Sequence, residues 1–541
     1  MSQPSSSPAP LSERESRPDH TLNTPKPSAM TSLTNIVSAH PDLERGRNSP
    51  GGSEERRVTF NGFTLAFLAF TIMSSYQTWA GTVATSLYSG GPVTMVYGYV
   101  LACLGSLAGA ASLAELVSAW PTAEGQINWA ENLAPESCAS FVRYYTAWAT
   151  VFGWTFIGCS AAFVFANALT GVAMFTHLEY MPERWHTALM LWGVVLLALV
   201  INIFAFRILG IGTLVVLIVI LLARHEGPFN EPSFVFGHFI NETGWDSDGI
   251  AFFLGLVGSA FSVIGYDAVA HMAEEMAEPE KQAPRAMLAA VLMSLPTGLP
   301  FILVLLFVIK DIDYLATLPY PIVEIIEKSV RNKAGTVFLT FCVALTAPVA
   351  TTSILATAGR VVWSFALEGG IPFSQWFSRL SSRYEVPVNA LCVVAAVQCL
   401  LSLIYIGNTA LFNSILTLTV AFLNISYSIP IALMLFRGRP QRLLPAAPFR
   451  LGAILGPLCN IVALCVQTVV SFFLFFPNTL PTTAETMNWA CVIFAGAHLV
   501  LGIYWFYGGR KAAHVIHEAH ELHRQATEGG EHDEDASPKR R

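Results

Sequence analysis

Residues 249–276 read GIAFFLGLVGSAFSVIGYDAVAHMAEEM, an apolar run long enough to cross a bilayer but broken in its middle by Ser, Gly, Tyr and an aspartate. About 20 apolar residues suffice to cross roughly 30 Å of hydrocarbon. Each unpaired backbone N–H or C=O at that depth costs several kcal/mol, so irregular backbone survives there only where it lines a cavity or binds something. A second run, residues 62–87, reads GFTLAFLAFTIMSSYQTWAGTVATSL and is broken by SSYQTWAG. Two interrupted spans in one chain point to a transporter's binding site.

The rest of the chain supports that class. Its 541 residues are 53% hydrophobic and only 12% charged, with a mean hydropathy of +0.52. That is too much apolar surface for one soluble core and suits a helical bundle in lipid. The net charge of −7 comes with no basic stripe, which excludes nucleic acid as a partner. The nine cysteines lie in or beside apolar runs with no CxxC pair or metal-ligand spacing, so they read as packing residues, and no cofactor or metal is expected. Residues 1–57 are rich in Ser, Pro and charge and lack a signal-peptide core; they are expected to form a disordered cytoplasmic tail. A permease domain over 58–509 and a cytoplasmic tail over 510–541 complete the division.

Twelve spans are predicted, at about 62–87, 93–117, 140–174, 186–206, 208–223, 249–276, 286–309, 334–367, 388–406, 409–436, 450–476 and 487–507. With the N-terminus cytoplasmic, fifteen Lys and Arg residues fall near the inner face and six near the outer, the asymmetry that sets orientation. Both termini are then cytoplasmic. Asn241-Glu242-Thr243, a glycosylation sequon, falls outside, as that modification requires. Residues 118–135 are too polar to span yet carry Trp120, Trp129 and two prolines, which predicts a re-entrant or interfacial segment. Within 311–333, PYPIVEIIEKSVRN predicts a short amphipathic helix at the outer face.

The fragments TWAGTVATSLYSGGPVTMVYG, SLAELVSAWPTAEGQINWAENLAP, GYDAVAHMAEEMAEPEKQAPRAM, PVNAL, SYSIPIALMLFR and PFRLG together resemble the amino acid/polyamine/organocation (APC) permeases, more narrowly the fungal branch containing choline and GABA permeases. The resemblance covers about residues 58–512. It implies an all-α integral membrane fold of about twelve helices. Spans 1–5 and 6–10 would form an inverted repeat (the LeuT-like arrangement), with helices 1 and 6 unwound around the substrate and two further helices at the C-terminal end. It also implies proton coupling and a fungal plasma membrane. The fifth span departs from the family: Ile208–Ala223 is sixteen residues, about 24 Å at 1.5 Å per residue, which a thinner bilayer, another boundary or a deletion would explain.

In the first break, Thr78, Trp79, Ala80 and Gly81 are expected to be unwound. Their backbone groups and the following helix N-terminus would suit a carboxylate or hydroxyl. Trp79 and Tyr76 would instead suit an ammonium group, worth roughly 2 kcal/mol or more when desolvated. Either reading takes a small amine-bearing solute. In the second break Ser262, Val263, Ile264 and Gly265 precede Tyr266 and Asp267. A carboxylate at this depth costs about 2.5–3.5 kcal/mol and should face a cavity or a partner, so Ser262, Val263, Gly265, Tyr266 and Asp267 are candidate substrate contacts, with Asp267, like Trp79 and Tyr76, suited to a cation. His271 and Glu275 follow at four-residue steps, so a helix would stack them with Asp267 and make Asp267–His271 a candidate proton-coupling pair. Glu274, Glu275, Glu278 and Glu280 read better as the solvated cytoplasmic end, which leaves Asp267–His271 as the coupling pair.

Thr351, Thr352, Ser353 and Thr357 offer hydroxyls for substrate or ion, or for their own helix carbonyls. Glu115 reads as a structural anchor. His514, His517, His520 and His523 drift around a helix rather than converge on a metal, which suggests a solvated regulatory tail.

The expected function is import of choline first, GABA or another amino acid next, by alternating access. A non-transporting sensor on the same fold would look alike. A membrane-embedded enzyme would need a convergent catalytic set, and no HExxH, GxSxG or DxxD cluster appears.

Overall fold

The computed structural model describes residues 61–517 apart from 178, 205–210, 226–227, 317, 319, 368, 382–385, 408–410, 438–446, 485, 512 and 515–516. The expected tail over 1–57, and the acidic end with His520 and His523, lie outside the described residues.

Among the described residues the regular elements are all helical, with one isolated bridge between Ser89 and Asn241. In chain order the main helices are α1 (Gly62–Met73), α2 (Ser75–Tyr88), α3 (Gly91–Ala119), α4 (Gln126–Leu133), α5 (Ala139–Thr176), α6 (Arg184–Phe204), α7 (Ile211–Arg224), α8 (Asp248–Leu254) and α9 (Leu256–Phe261). After a ten-residue 3-10 segment, Tyr266–Glu275, come α10 (Pro279–Val308), α11 (Ile322–Val330), α12 (Lys333–Ala344) and α13 (Thr346–Leu367). The chain ends with α14 (Val388–Gly407), α15 (Leu411–Phe436), α16 (Gly452–Phe473) and α17 (Ala490–Tyr504).

Ten helical stretches among the described residues are long and apolar enough to cross a membrane. The two other expected spans miss that mark for separate reasons. The first is split at Ser74 into α1 and α2. The fifth is α7, whose fourteen described residues follow directly on 205–210, which lie outside the described residues.

Local chemistry explains where the elements begin. Asn61 caps α1, its side-chain oxygen accepting from the Thr64 N–H at 2.8 Å, as N-cap residues do. The 38-residue α5 reaches about 57 Å, longer than the roughly 30 Å hydrocarbon core. α5 lies at the centre of the bundle, packed on α15, α13 and α4, while α3 packs on α10 and α16.

Residues 118–135 form α4 and its approach, inserted against α5 and α15. Trp129 is fully buried and its indole N–H donates to the Trp120 carbonyl at 2.9 Å. The amphipathic stretch before α12 is α11, which buries Ile322, Val323, Ile325 and Ile326. There Lys328 Nζ donates to Asp311 Oδ2 at 2.7 Å, and this bond with its charge holds the exposed carboxyl below its usual range.

Candidate functional site

The first break is a single residue. Ser74 takes left-handed backbone angles (φ 40°, ψ 48°), which residues other than glycine adopt uncommonly. Its N–H closes α1 on the Phe70 carbonyl at 2.9 Å and its hydroxyl turns back to the Thr71 carbonyl. Serine's hydroxyl offers the chain this local alternative to a helical bond. The expected unwinding at Thr78, Trp79, Ala80 and Gly81 is therefore corrected: these residues lie inside α2, four or more positions past the break. Gly81 serves close packing instead, since a Cβ there would come within 2.9 Å of Val164 on α5. Trp79 is buried, edge-on to Tyr99 at 5.9 Å. Tyr76 packs edge-on to Phe301 at 6.0 Å.

The second break runs from Ser262 to Gly265, between α9 and the 3-10 segment. Gly265 has φ 94°, a conformation that penalises any Cβ. A Cβ would also meet Ile72 at 3.1 Å. Gly265→Ala is expected to cost about 1–2 kcal/mol and to lower surface abundance or uptake, read by surface labelling beside a transport assay. Unchanged values of both would show that the loop relaxes freely.

The two breaks touch. Ser75 Oγ, the first residue after one break, donates to the Ser262 carbonyl in the other at 2.8 Å, both fully buried. Gln77 on α2 accepts from Thr346 Oγ1 on α13 at 2.7 Å. Hydroxyls thus satisfy backbone groups that helix interruption leaves unpaired.

One turn below lies the buried Asp267 carboxylate, 0% exposed. Its Oδ2 accepts from Gln126 Nε2 at 2.6 Å and from the Trp154 indole N–H at 3.1 Å, and lies 3.2 Å from His271 Nε2. Its Oδ1 accepts from the Tyr427 hydroxyl at 2.5 Å. These donors come from α4, α5, the 3-10 segment and α15, which makes Asp267 the joint of four elements. The pairing of Asp267 with His271 was legible from spacing; Gln126, Trp154 and Tyr427 were not. Tyr427 lies within SYSIPIALMLFR and Gln126 within the polar 118–135 segment, but neither position names its partner.

Glu275 does not join that stack. The 3-10 path turns it toward α13, where Arg360 Nε donates to its Oε1 at 3.0 Å and Nη2 lies at 2.8 Å. A 3-10 turn holds three residues rather than 3.6, so a second four-residue step moves off the face. Between these elements is a cavity of about 430 Å³ lined by Ala123, Asn202, His271, Glu274, Glu275 and Arg360 among others.

The remaining candidates separate cleanly. Thr352 Oγ1 returns to the Pro348 carbonyl at 2.7 Å, and Ser353 and Thr357 likewise bond within α13. Thr351 is buried and its hydroxyl has no protein partner among the described residues. Glu115 anchors the chain, its Oε1 accepting from the Leu451 N–H at 2.6 Å. Both amide hydrogens of Asn241 are used, toward the Trp245 carbonyl at 2.9 Å and Asp248 Oδ1 at 3.1 Å, so a glycan would replace one of these bonds. His517 is docked, Nδ1 lying 2.9 Å from Glu131 Oε1, and His514 Nδ1 lies 3.3 Å from Ser140 Oγ. Glu131 and Glu124 in turn hold Arg143, buried near the start of α5, at 2.5 and 3.0 Å.

Comparison with known proteins gives this arrangement its family. The family described as amino acid permease matches residues 60–497. A choline transporter of Saccharomyces cerevisiae is 31% identical over 486 residues, covering 88% of this chain and 86% of that protein. A putative amino acid/polyamine transporter of Macrophomina phaseolina is 33% identical, covering 78% and 95%. A GABA-specific permease of Saccharomyces cerevisiae is 26% identical, covering 84% and 82%. With a match over most of its length and relatives that are transporters rather than enzymes, the chain belongs to the amino acid permease family.

Proposed function

We propose that the protein is a proton-coupled secondary transporter that imports a small amine-containing solute by alternating access, with choline the first candidate and GABA or another amino acid the next. The observation that carries this is the contact between the breaks, Ser75 to Ser262, beside a buried Asp267–His271 pair. Irregular backbone from two spans meeting at membrane depth is the arrangement in which transporters hold their solutes. The ten long helices, the split α1–α2 and α7 together support twelve spans. The placement of the breaks in the first and sixth supports two inverted five-helix halves.

Buried Trp79 Nε1, Ser259 Oγ and Thr351 Oγ1 have no protein partner among the described residues. A buried polar group normally has one, so a bound solute or water would satisfy them. Tyr76, Thr78, Ala80, Ser262, Val263, Gly265 and Tyr266 complete the proposed solute neighbourhood, with Gly81 given over to packing against Val164. Asp267, surrounded by four donors, fits coupling better than direct contact with a solute cation. His271, Thr351 and Thr352 are the remaining coupling candidates. The similarity to a choline transporter supports the first substrate choice. The lysine and arginine asymmetry supports cytoplasmic termini, so the 430 Å³ cavity is the inner vestibule of a plasma-membrane protein.

The test is uptake of labelled choline, GABA and a set of amino acids in cells lacking their own permeases, with and without a protonophore. One of these solutes is expected to accumulate, and the protonophore to abolish the gradient. Protein present at the surface with no accumulation of any solute would overturn the reading.

A further inference from the structure

We propose that the segment Trp120–Leu133, carrying α4, is the inner gate of the solute pathway, and that a single proton on His271 holds it shut. The proposal rests on the transport reading above and deepens it.

His271 Nδ1 lies 2.9 Å from the Ala123 carbonyl oxygen, and Nε2 lies 3.2 Å from Asp267 Oδ2. A carbonyl only accepts, and so does an ionised carboxylate. A neutral imidazole has one N–H and satisfies one of them; an imidazolium has two and satisfies both. A protonated Asp267 would be the alternative, but its Oδ2 already takes hydrogen bonds from Gln126 and Trp154, which suits a carboxylate oxygen and crowds a carboxylic O–H. The geometry therefore matches an imidazolium bridging two acceptors, one on the span-6 segment and one on the segment before α4.

Loss of that proton leaves one acceptor facing a lone pair. The charged Asp267 keeps the remaining N–H, because bonds to ionised partners are the stronger, so the bond released is the one to Ala123. Gly125 lies two residues on with φ 54°, and a Cβ there would come within 3.3 Å of His271 Cε1. The segment is thus seated directly on the titrating ring. Its other ties here are Gln126 to Asp267 and the Ala123 N–H to Glu274 Oε1 at 3.1 Å. The proton has a way out, because His271 lines the inner vestibule, and water there receives it.

The other charged or titratable groups around the ring are accounted for. On its own segment Glu274 is bonded to Ala123 and Glu275 to Arg360 of α13. From α4 and its approach, Glu124 and Glu131 are paired with Arg143 of α5. From α15, Tyr427 reaches the ring only through Asp267. α1 carries no charged residue, Glu115 of α3 is turned to Leu451, and on α10 Lys281 and Arg285 are exposed and Glu280 half-buried. His271 is therefore the group placed to change this contact.

The experiment places a cysteine at Ile127, which is 1% exposed on α4. It measures reaction of the purified full-length chain with a water-soluble maleimide, counted above the protein without the substitution. Each rate is divided by that of the unfolded chain at the same pH. Raising the pH from about 5.5 to about 8.5 is expected to speed labelling about tenfold, the scale of one hydrogen bond to a charged partner. His271→Gln is expected to label fast at both values. Gln126→Ala, which leaves the titrating ring intact, is expected to label faster at both and keep the step.

A flat rate in the Ile127→Cys protein, or a step that survives in His271→Gln, overturns the gate. The two readings fail separately. A flat rate in a chain that accumulates solute removes the gate alone. A clear step in a chain that accumulates nothing removes transport and leaves a pH-operated gate.

Discussion

Arg143→Ala is expected to destabilise the fold by about 3–5 kcal/mol, the cost of breaking a buried ion pair from one side. The guanidinium is 1% exposed and sits between Glu131 Oε2 at 2.5 Å and Glu124 Oε2 at 3.0 Å. Removing it leaves one nearly buried carboxylate and one partly exposed one beside an emptied pocket. Arg143→Lys keeps a charge but not the planar fork that reaches two carboxylates at once, so it should fall between alanine and the native residue. Glu124, the more exposed partner, should cost less on change to Gln than Glu131. The measurements are thermal stability of the purified protein in detergent and surface abundance in cells. An Arg143→Ala protein with native values of both would show the cluster to be incidental.

Burying this cluster has a structural rationale. Arg143 lies near the start of α5, and both its acids come from α4 and the residues just before it. The cluster therefore pins the outer side of the α4 segment, while His271 and Asp267 hold its inner side. Docking of His517 on Glu131 adds a contact from the chain after α17.

What could be read from the sequence follows from which interactions are local. Hydropathy runs give helices within a few residues of those observed, because lipid makes span length and backbone pairing the dominant constraint. The breaks were legible because polar residues in an apolar run are costly there. Their exact place was not: Trp79-Ala80-Gly81 looked the weaker helix, but Ser74 with its two neighbouring carbonyls made the turn and Gly81 was taken up by packing against Val164. Asp267 and His271 were legible as a pair because they lie four residues apart. Gln126, Trp154 and Tyr427, which lie 141, 113 and 160 residues from Asp267, depend on tertiary packing that no local pattern encodes. The departure of Glu275 toward Arg360 has the same origin, since a helical period was assumed where the backbone is 3-10.

Asp267→Asn is expected to leave the protein folded and at the surface while cutting accumulation about tenfold or more, the scale of hydrogen bonds to a charged group. The amide is nearly the shape of the carboxylate. Its oxygen can take the position that accepts from Gln126 and Trp154, and its NH₂ can face Tyr427, whose hydroxyl rotates to accept. What the amide lacks is the negative charge. His271 then has no ionised partner to favour its imidazolium, and the proton that would drive accumulation is no longer held in the span-6 segment. Exchange of external for internal solute needs no net proton movement, so it should fall less than accumulation. Asp267→Ala is the contrasting case, because four donors from four elements lose their acceptor at about 1–3 kcal/mol each, and surface abundance should drop with activity. Labelled uptake, counterflow and surface biotinylation on the same cells separate these outcomes. Native accumulation by Asp267→Asn would remove the carboxylate from coupling and leave it a purely architectural joint.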